Sequence, residues 1–406
     1  MKNRIICLSL LFAMAASAVA QNDENTYRRS SLYSLLINHA EQPFSEEIRT
    51  AYMRIPVPNK FNDHNLSVRV LMMDSKLAGA KSDRENATIS DFLERNQIAS
   101  RLVARWFNRD YYTGQCDMEL IKERGLYNAS EFDKQLASRS ARGTAMLQDA
   151  GEELIGNTFV IVNDIRYFDK SKASSVLGSL ASISVNIAGA VAGVNVGQMD
   201  DLVDKAISNV KGFKVRINSF LYQLVWNDDV AARFYQEQYS ATADAAKCTA
   251  FNQARGQYHL RYVGKVESKG NITTYVGDNQ YDPIALVRKA CQRAIDENVA
   301  DLQRNYEEFR IKTPLVTTDP LTAYIGMKEG VAPGVKYEVL EVVEQEDGSH
   351  TYSRVGVIEP MKNLIWDNRY MAEEEGAEGA SLGCTTFRKV SGRDFAKGML
   401  IREMSR

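Results

Sequence analysis

The sequence predicts an α+β protein: a mixed α/β domain with long helices packed on a sheet, followed by a small SH3-like β-barrel. Three observations carry this. The β-branched, aromatic runs NTFVIVNDIRYF (Asn157–Phe168) and FKVRINSFLYQLVW (Phe213–Trp226) are set among stretches of helical period. Asp282-Pro283 then opens a long helix, and after Thr313-Pro314 the composition and period change to those of short strands. With 44% hydrophobic residues in a chain of 406, there is enough apolar material for two or three packed domains. A net charge of -2, with Lys and Arg scattered along the chain, gives no pull toward nucleic acid.

The N-terminal run MKNRIICLSLLFAMAASAVA (1–20) has a basic start, an apolar core and Ala18-Val19-Ala20 as a small-x-small cleavage signal. It reads as a signal peptide cut after Ala20, so that the mature chain starts at Gln21 in the periplasm or at the outer membrane. Cys7 lies inside the apolar core, not in the context a lipid anchor requires. Four cysteines then remain, Cys116, Cys248, Cys291 and Cys384, and they can pair in three ways or stay as buried thiols.

Residues 21–60 read as an N-terminal helical segment: Leu32, Leu35, Leu36 and then Ile48, Tyr52 recur at helical spacing, with Pro43 dividing two short helices. The α/β domain is expected at 61–312. It opens with an alternating strand over Asn65–Asp74 and continues with one helix over about Ile89–Asn108, whose stripe is Phe92, Ile98, Leu102 and Trp106. The pattern stays helical from Asp117 to Gly151. The two strands already quoted follow, then Gln257–Ser268, another strand. The helix begun at Asp282 carries Val287, Ala290, Cys291, Ala294, Ile295, Leu302, Tyr306 and Phe309 on its apolar face. In the barrel at 313–406, Lys336–Val343 and Thr351–Ile358 form a hairpin turning at Asp347-Gly348, and the closing TTFRKVSGRDFAKGMLIRE supplies further strands. The acidic run Glu373–Glu375 reads as a solvated loop.

Between the two central strands lies a stretch without one charged residue, Ala173–Met199. As a helix, its Gly189, Gly193 and Gly197 form the small-residue ridge that lets helices approach closely in lipid. As a hairpin, its arms have about the roughly 10 residues a tilted strand needs to cross a bilayer core, Ser182–Ile187 alternating polar and apolar. It also reads as a buried or amphipathic helical excursion, or as a loop. Val185, Ile187, Gly189, Gly193, Val194 and Gly197 are the residues expected at a membrane or subunit contact. Tyr222, Trp226, Trp366 and Arg369 are candidate interface residues, because Tyr, Trp and Arg concentrate at the centres of interfaces.

Catalytic, cofactor and metal residues are not assigned. The histidines His39, His64, His259 and His350 lie in separate segments, and no GxSxG, Walker-type or GxGxxG loop is present. The acid pairs Glu152-Glu153, Asp200-Asp201 and Asp228-Asp229 read as helix starts, where the helix dipole favours carboxylates.

The order of elements, strand, long helix, further helix, strand, uncharged Gly-rich insertion, strand, strand, long helix, resembles the periplasmic domain of the curli-secretion channel lipoprotein. Its relatives include the flagellar T protein, which also ends in a small β-domain. The resemblance covers about residues 65–310 and the tail 312–406. In the channel family the insertion after the central strand forms a membrane β-hairpin, and Ala173–Met199 takes its place here. The chain lacks the channel's lipidated cysteine and has one insertion where the channel has two, so pore formation does not carry over. The Gln21 start and the stretch SRVGVIEPMKNLIWDNRYMA are similar to exported proteins of Bacteroidetes-type bacteria.

These readings together predict an exported, envelope-associated, non-enzymatic component of a secretion, assembly or surface structure. It is expected to form a homo-oligomer through the uncharged insertion and to meet other envelope proteins and the outer membrane, with no nucleic acid and no cofactor. A soluble periplasmic or secreted binding module is the alternative, and a carboxylate-based hydrolase the third reading.

Overall fold

A computed structural model describes residues 30–72, 82–128, 153–167, 214–271, 283–344 and 350–404. The segment 173–199, with its six candidate contact residues, lies outside the described residues, as do the leader, the Asp200-Asp201 pair and the Asp347-Gly348 turn.

Six strands form the central sheet: β1 (Ser30–Asn38), β2 (Phe61–Asp63), β3 (Val70–Met72), β4 (Thr158–Tyr167), β5 (Lys214–Leu224) and β6 (Leu260–Asn271). Their order is β2-β1-β4-β5-β6, and β3 pairs with β1 beyond the end of β2. β1 runs parallel to β2, β3 and β4, whereas β4, β5 and β6 are antiparallel neighbours. Helices cover both faces. On one side α1 (Ser45–Met53) and α7 (Pro283–Asn305) bury Ile48, Tyr52, Val287, Ala294 and Leu302 against Leu32, Leu36, Ile161 and Ile217. On the other, α2 (Ser82–Arg95), α3 (Ile98–Trp106), α4 (Glu119–Asn128) and α6 (Ala245–Ala254) pack Leu93, Leu102, Trp106, Ile121 and Phe251 against Tyr33, Leu35, Val160 and Phe220. The short α5 (Asp228–Arg233) starts at Asn227, whose side chain accepts from the Val230 amide, so Asp228-Asp229 does mark a helix start.

The structure corrects the expected N-terminal helical segment. Ser30–Asn38 is the strand β1 at the heart of the sheet, so the α/β domain begins before residue 61. Its apolar residues alternate between the two cores, Leu32 and Leu36 to one and Tyr33, Leu35 and Ile37 to the other. A strand buried on both faces is apolar throughout, and such a run imitates helical spacing. The expected helix over Ile89–Asn108 is in fact two, broken at Asn96-Gln97, where Gln97 adopts a left-handed φ of 52°. From Phe92 to Ile98 is a step of six, which on one continuous helix would set the two side chains about 120° apart. The break lets both reach the same core.

The C-terminal part is a closed antiparallel barrel, in the order β10-β11-β8-β7-β12-β9. Its strands are β7 (Thr313–Thr318), β8 (Leu321–Ala323), β9 (Tyr337–Glu344), β10 (His350–Pro360), β11 (Thr385–Gly392) and β12 (Leu400–Glu403). It encloses its own core of Leu315, Ile325, Val339, Ile358, Phe387 and Ile401. Closure leaves no strand edge open for pairing with another chain.

The barrel is bonded to α7. Arg304 donates to Glu403 Oε1 (2.9 Å), to Asp301 Oδ1 (2.8 Å) and to the Gly330 carbonyl (2.9 Å). Arg402 reaches both Glu338 and Glu307 (2.6 Å each). Glu375, expected in a solvated acidic loop, pairs with Lys289 and Arg293 of α7. The four described cysteines are free thiols, and burial pushes that of Cys291 up to about 12. No helix among the described residues is long and apolar enough to cross a membrane.

Candidate interaction groove at the domain junction

Where the linker before β2 meets the barrel loops, the two parts enclose an open groove of about 720 Å³. Asn59 and Lys60 form its α/β side, and the barrel side carries Tyr324, Lys328, Glu329 and the segment Trp366–Arg369. This brings Trp366 and Arg369, two of the residues singled out in the sequence, to one rim.

The barrel rim is held by a chain of bonds that fixes each side chain. Trp366 donates its indole N–H to the Ala380 carbonyl (3.2 Å), and its backbone N–H donates to Thr385 Oγ1 (3.0 Å). Its carbonyl accepts from the Met327 amide (2.9 Å), closing the turn that carries Lys328 and Glu329 onto the same rim. Gly326 opens that turn because a Cβ there would stand 2.3 Å from the Trp366 carbonyl oxygen. Asn368 accepts from the Lys328 amide (2.9 Å) and donates to Glu329 Oε2 (2.8 Å), which in turn accepts from the Gly326 amide (2.7 Å).

The rim carries an ion pair. Arg369 clasps Asp367 through two parallel bonds, Nε to Oδ1 (2.8 Å) and Nη2 to Oδ2 (2.7 Å). Burial pushes the Asp367 carboxyl up, but the bonds from the Arg369 side chain and amide outweigh it and hold the carboxyl below its ordinary range. Across the groove, desolvation lowers the Lys60 ammonium, with Glu329 and Glu403 pulling the other way. Behind the rim, burial pushes Asp296 of α7 up to about 7. Its neighbours are Lys328, Glu329 and Arg293, and its Oδ2 has no hydrogen-bond partner.

The rim presents apolar and charged groups side by side. It offers a fixed indole edge, an exposed Tyr324 and oriented charges. Cys384 is the nucleophile among the described lining residues, and no histidine lines the groove beside it.

The other two candidate interface residues lie elsewhere and pack inward. Tyr222 is 1% exposed, with its hydroxyl donating to Asn86 Oδ1 (2.6 Å), which removes it from the surface. Trp226 is half-buried in an aromatic cluster with Phe107 (6.0 Å between ring centres) and Phe234 (5.6 Å). Tyr222 stands in the second core, so the expectation of an interface there is corrected, whereas Trp226 packs against that core and stays partly exposed.

Two histidines isolated in the sequence acquire charged partners in space. His39, just past β1, bonds to Asp164 on β4, and Arg166 joins Asp164 to Glu85 of α2. Burial raises Asp164, yet the bonds from His39, Arg166 and Glu85 prevail and hold it below the ordinary carboxylate range. Glu85 bears the consequence: desolvation first, then the neighbouring Asp164, push it up to about 7. His39, Asp164 and Glu85 are all buried, so the cluster clamps the exit of β1 to β4 and offers no entry to a ligand. On the same helical face, His64 accepts at Nδ1 from Arg124 (2.6 Å) and donates from Nε2 to the Leu102 carbonyl (3.1 Å), stacking on Trp106. A charge pair at i, i+2 in an otherwise buried strand, Asp164 and Arg166, was the sequence signal for the first cluster. Among the described residues no group of three or more His, Cys, Asp and Glu is placed to hold a metal ion.

No protein-family model matches the chain, and no curated protein matches it.

Proposed function

We propose that the protein is an exported, envelope-associated, non-enzymatic component of a secretion, assembly or surface structure, which forms homo-oligomers through residues 173–199 and receives another envelope protein in the junction groove. One observation carries the reading. β4 and β5 are direct antiparallel neighbours, with Tyr167 opposite Val215 at the open end of the pair. A short turn would join strands in this register, so the sheet has no need of the uncharged stretch that the sequence inserts there. A stretch without charge, inserted between strands that a short turn would join, is suited to contact with lipid or a second copy. The resemblance to the curli-secretion channel domain, where the insertion at this point forms a membrane β-hairpin, supports the same reading and agrees with an envelope location.

A charge placed in this stretch tests it. Val185→Asp and Gly193→Asp should each convert oligomers to monomers, or release the protein from the membrane fraction, with the far-ultraviolet circular dichroism spectrum unchanged. An unpaired carboxylate at such a contact costs on the order of 3 kcal/mol. Size and detergent partitioning identical to wild type would overturn the proposal. The alternative, a soluble binding module, is favoured by the groove with its fixed Trp366 and Arg369. It predicts a wild-type monomer in aqueous fractions and loss of a partner on Trp366→Ala.

A further inference from the structure

Arginines on this protein generally carry a carboxylate: Arg95 with Asp91, Arg304 with Asp301, Arg369 with Asp367, Arg388 with Glu359 and Arg402 with Glu338. Others have no carboxylate partner among the described residues, and four of these share one space. A groove of about 660 Å³ between α3 and the end of α6 is lined by Arg101, Arg105, Arg109 and Arg255, and no Asp or Glu is among its lining residues. Among the described residues, Arg101 meets Ser67 Oγ at 3.5 Å. Arg109 reaches the Cys248 carbonyl (3.3 Å) and lies over the Phe251 ring at 4.2 Å. Arg255 flanks the same ring at 5.7 Å and that of Tyr111 at 5.8 Å. The Nε groups of Arg109 and Arg255 are buried and find no acceptor among the described residues.

Chain geometry accounts for part of this and not for the whole. A cation in the last turn of a helix is favoured by the helix dipole, which explains Arg105. The same account covers Arg255, the C-cap residue of α6, but it does not explain Arg101 one turn before Arg105, nor why two helix ends bring their cations to the same space. Guanidinium groups sharing a concave site without a counter-ion repel one another, and an anion removes that repulsion. The volume is that of a small-molecule site. Four cations converging in it match the charge density of two phosphate groups, each offering several acceptor oxygens to the planar guanidinium fork.

We infer that this groove binds a compact phosphate-bearing anion with two or more negative charges, held by Arg101, Arg105, Arg109 and Arg255. Tyr111, 66% exposed at the mouth, closes one end. The site is independent of the junction groove and of assembly through 173–199. The phosphate belongs either to a soluble molecule or to a lipid headgroup, and the two share this chemistry.

Titration calorimetry of the mature chain with inorganic tripolyphosphate, at low and physiological salt, tests the inference. Binding should weaken with salt, and the double variant Arg105→Gln, Arg255→Gln should weaken it by about tenfold or more. Arg388→Gln, which removes an exposed and paired arginine of the barrel, should leave it unchanged. In a second arm, vesicles of phosphatidylcholine with phosphatidic acid are floated with the protein. Flotation that tripolyphosphate competes away assigns the phosphate to a headgroup, and tripolyphosphate binding without flotation assigns it to a soluble molecule. No binding in either arm overturns the inference, as does equal affinity in wild type and double variant, or equal loss in Arg388→Gln. Circular dichroism of each variant establishes that it is folded.

Discussion

Asp296→Asn should make the protein less sensitive to pH, through a group that sits where α7 meets the barrel. Asp296 is 5% exposed, its Oδ2 is without a hydrogen-bond partner, and Lys328, Glu329 and Arg293 are the charges around it. Burial moves its carboxyl from the ordinary 3.8 to about 7. The folded state therefore holds this proton more tightly than the unfolded chain does. The group's contribution to stability is fully present below 3.8 and is lost as pH rises toward 7. At roughly 1.4 kcal/mol for each pH unit, the approximately 2 units between pH 5 and about 7 correspond to a loss on the order of 3 kcal/mol over the assayed range. An asparagine has no proton to lose and avoids it. Urea unfolding of wild type and variant at pH 5 and pH 8 reads the effect, because titrating groups remote from Asp296 cancel in the difference. The variant should gain on wild type by that amount between the two pH values. A difference between the two proteins that stays constant within about 0.5 kcal/mol across this range would refute the reasoning.

Two further outcomes follow from the same structure. Arg304→Met removes bonds to Glu403, Asp301 and the Gly330 carbonyl and leaves the half-buried Glu403 without this partner. It should cost about 2–3 kcal/mol in chemical denaturation followed by circular dichroism. Burial first, and then Arg124, lower His64 well below 6.5. The stability it contributes is present above 6.5 and is lost as pH falls below that value, so His64→Gln should flatten the acid limb of a melting-temperature profile.

Much of the fold was legible in the sequence because its elements carry local signals. β4, β5 and β6 announce themselves by β-branched runs. α7 does so by Pro283 and its stripe from Val287 to Leu302, and the β9–β10 hairpin by alternation on either side of Asp347-Gly348. The barrel begins at Thr313, where the period of the sequence changes. β1 escaped because burial on both faces erases the alternation that marks a strand. The break at Gln97 escaped because a left-handed residue needs no glycine to signal it.

The candidate groove was legible only in part. Trp366 and Arg369 stand three residues apart in one loop, a juxtaposition visible in the sequence, whereas Lys60 joins them through the docking of the barrel on the linker before β2. Contacts of that sequence separation have no local pattern. The same holds for His39 and Asp164, which lie 125 positions apart and meet only because β1 and β4 pair in parallel. Glu375 showed the converse error: an acidic run suggests solvent, but two cations on α7 were waiting for one of its carboxylates.

The central claim is that residues 173–199 serve assembly and not the fold. Replacing them with a short Gly/Ser linker between β4 and β5, and measuring mass by light scattering and stability by urea unfolding, tests it most directly. Loop closure depends only weakly on length, so the variant should keep wild-type stability within about 1 kcal/mol and run as a monomer where wild type is an oligomer or partitions into detergent. A variant that unfolds while wild type is itself monomeric and aqueous would contradict the account.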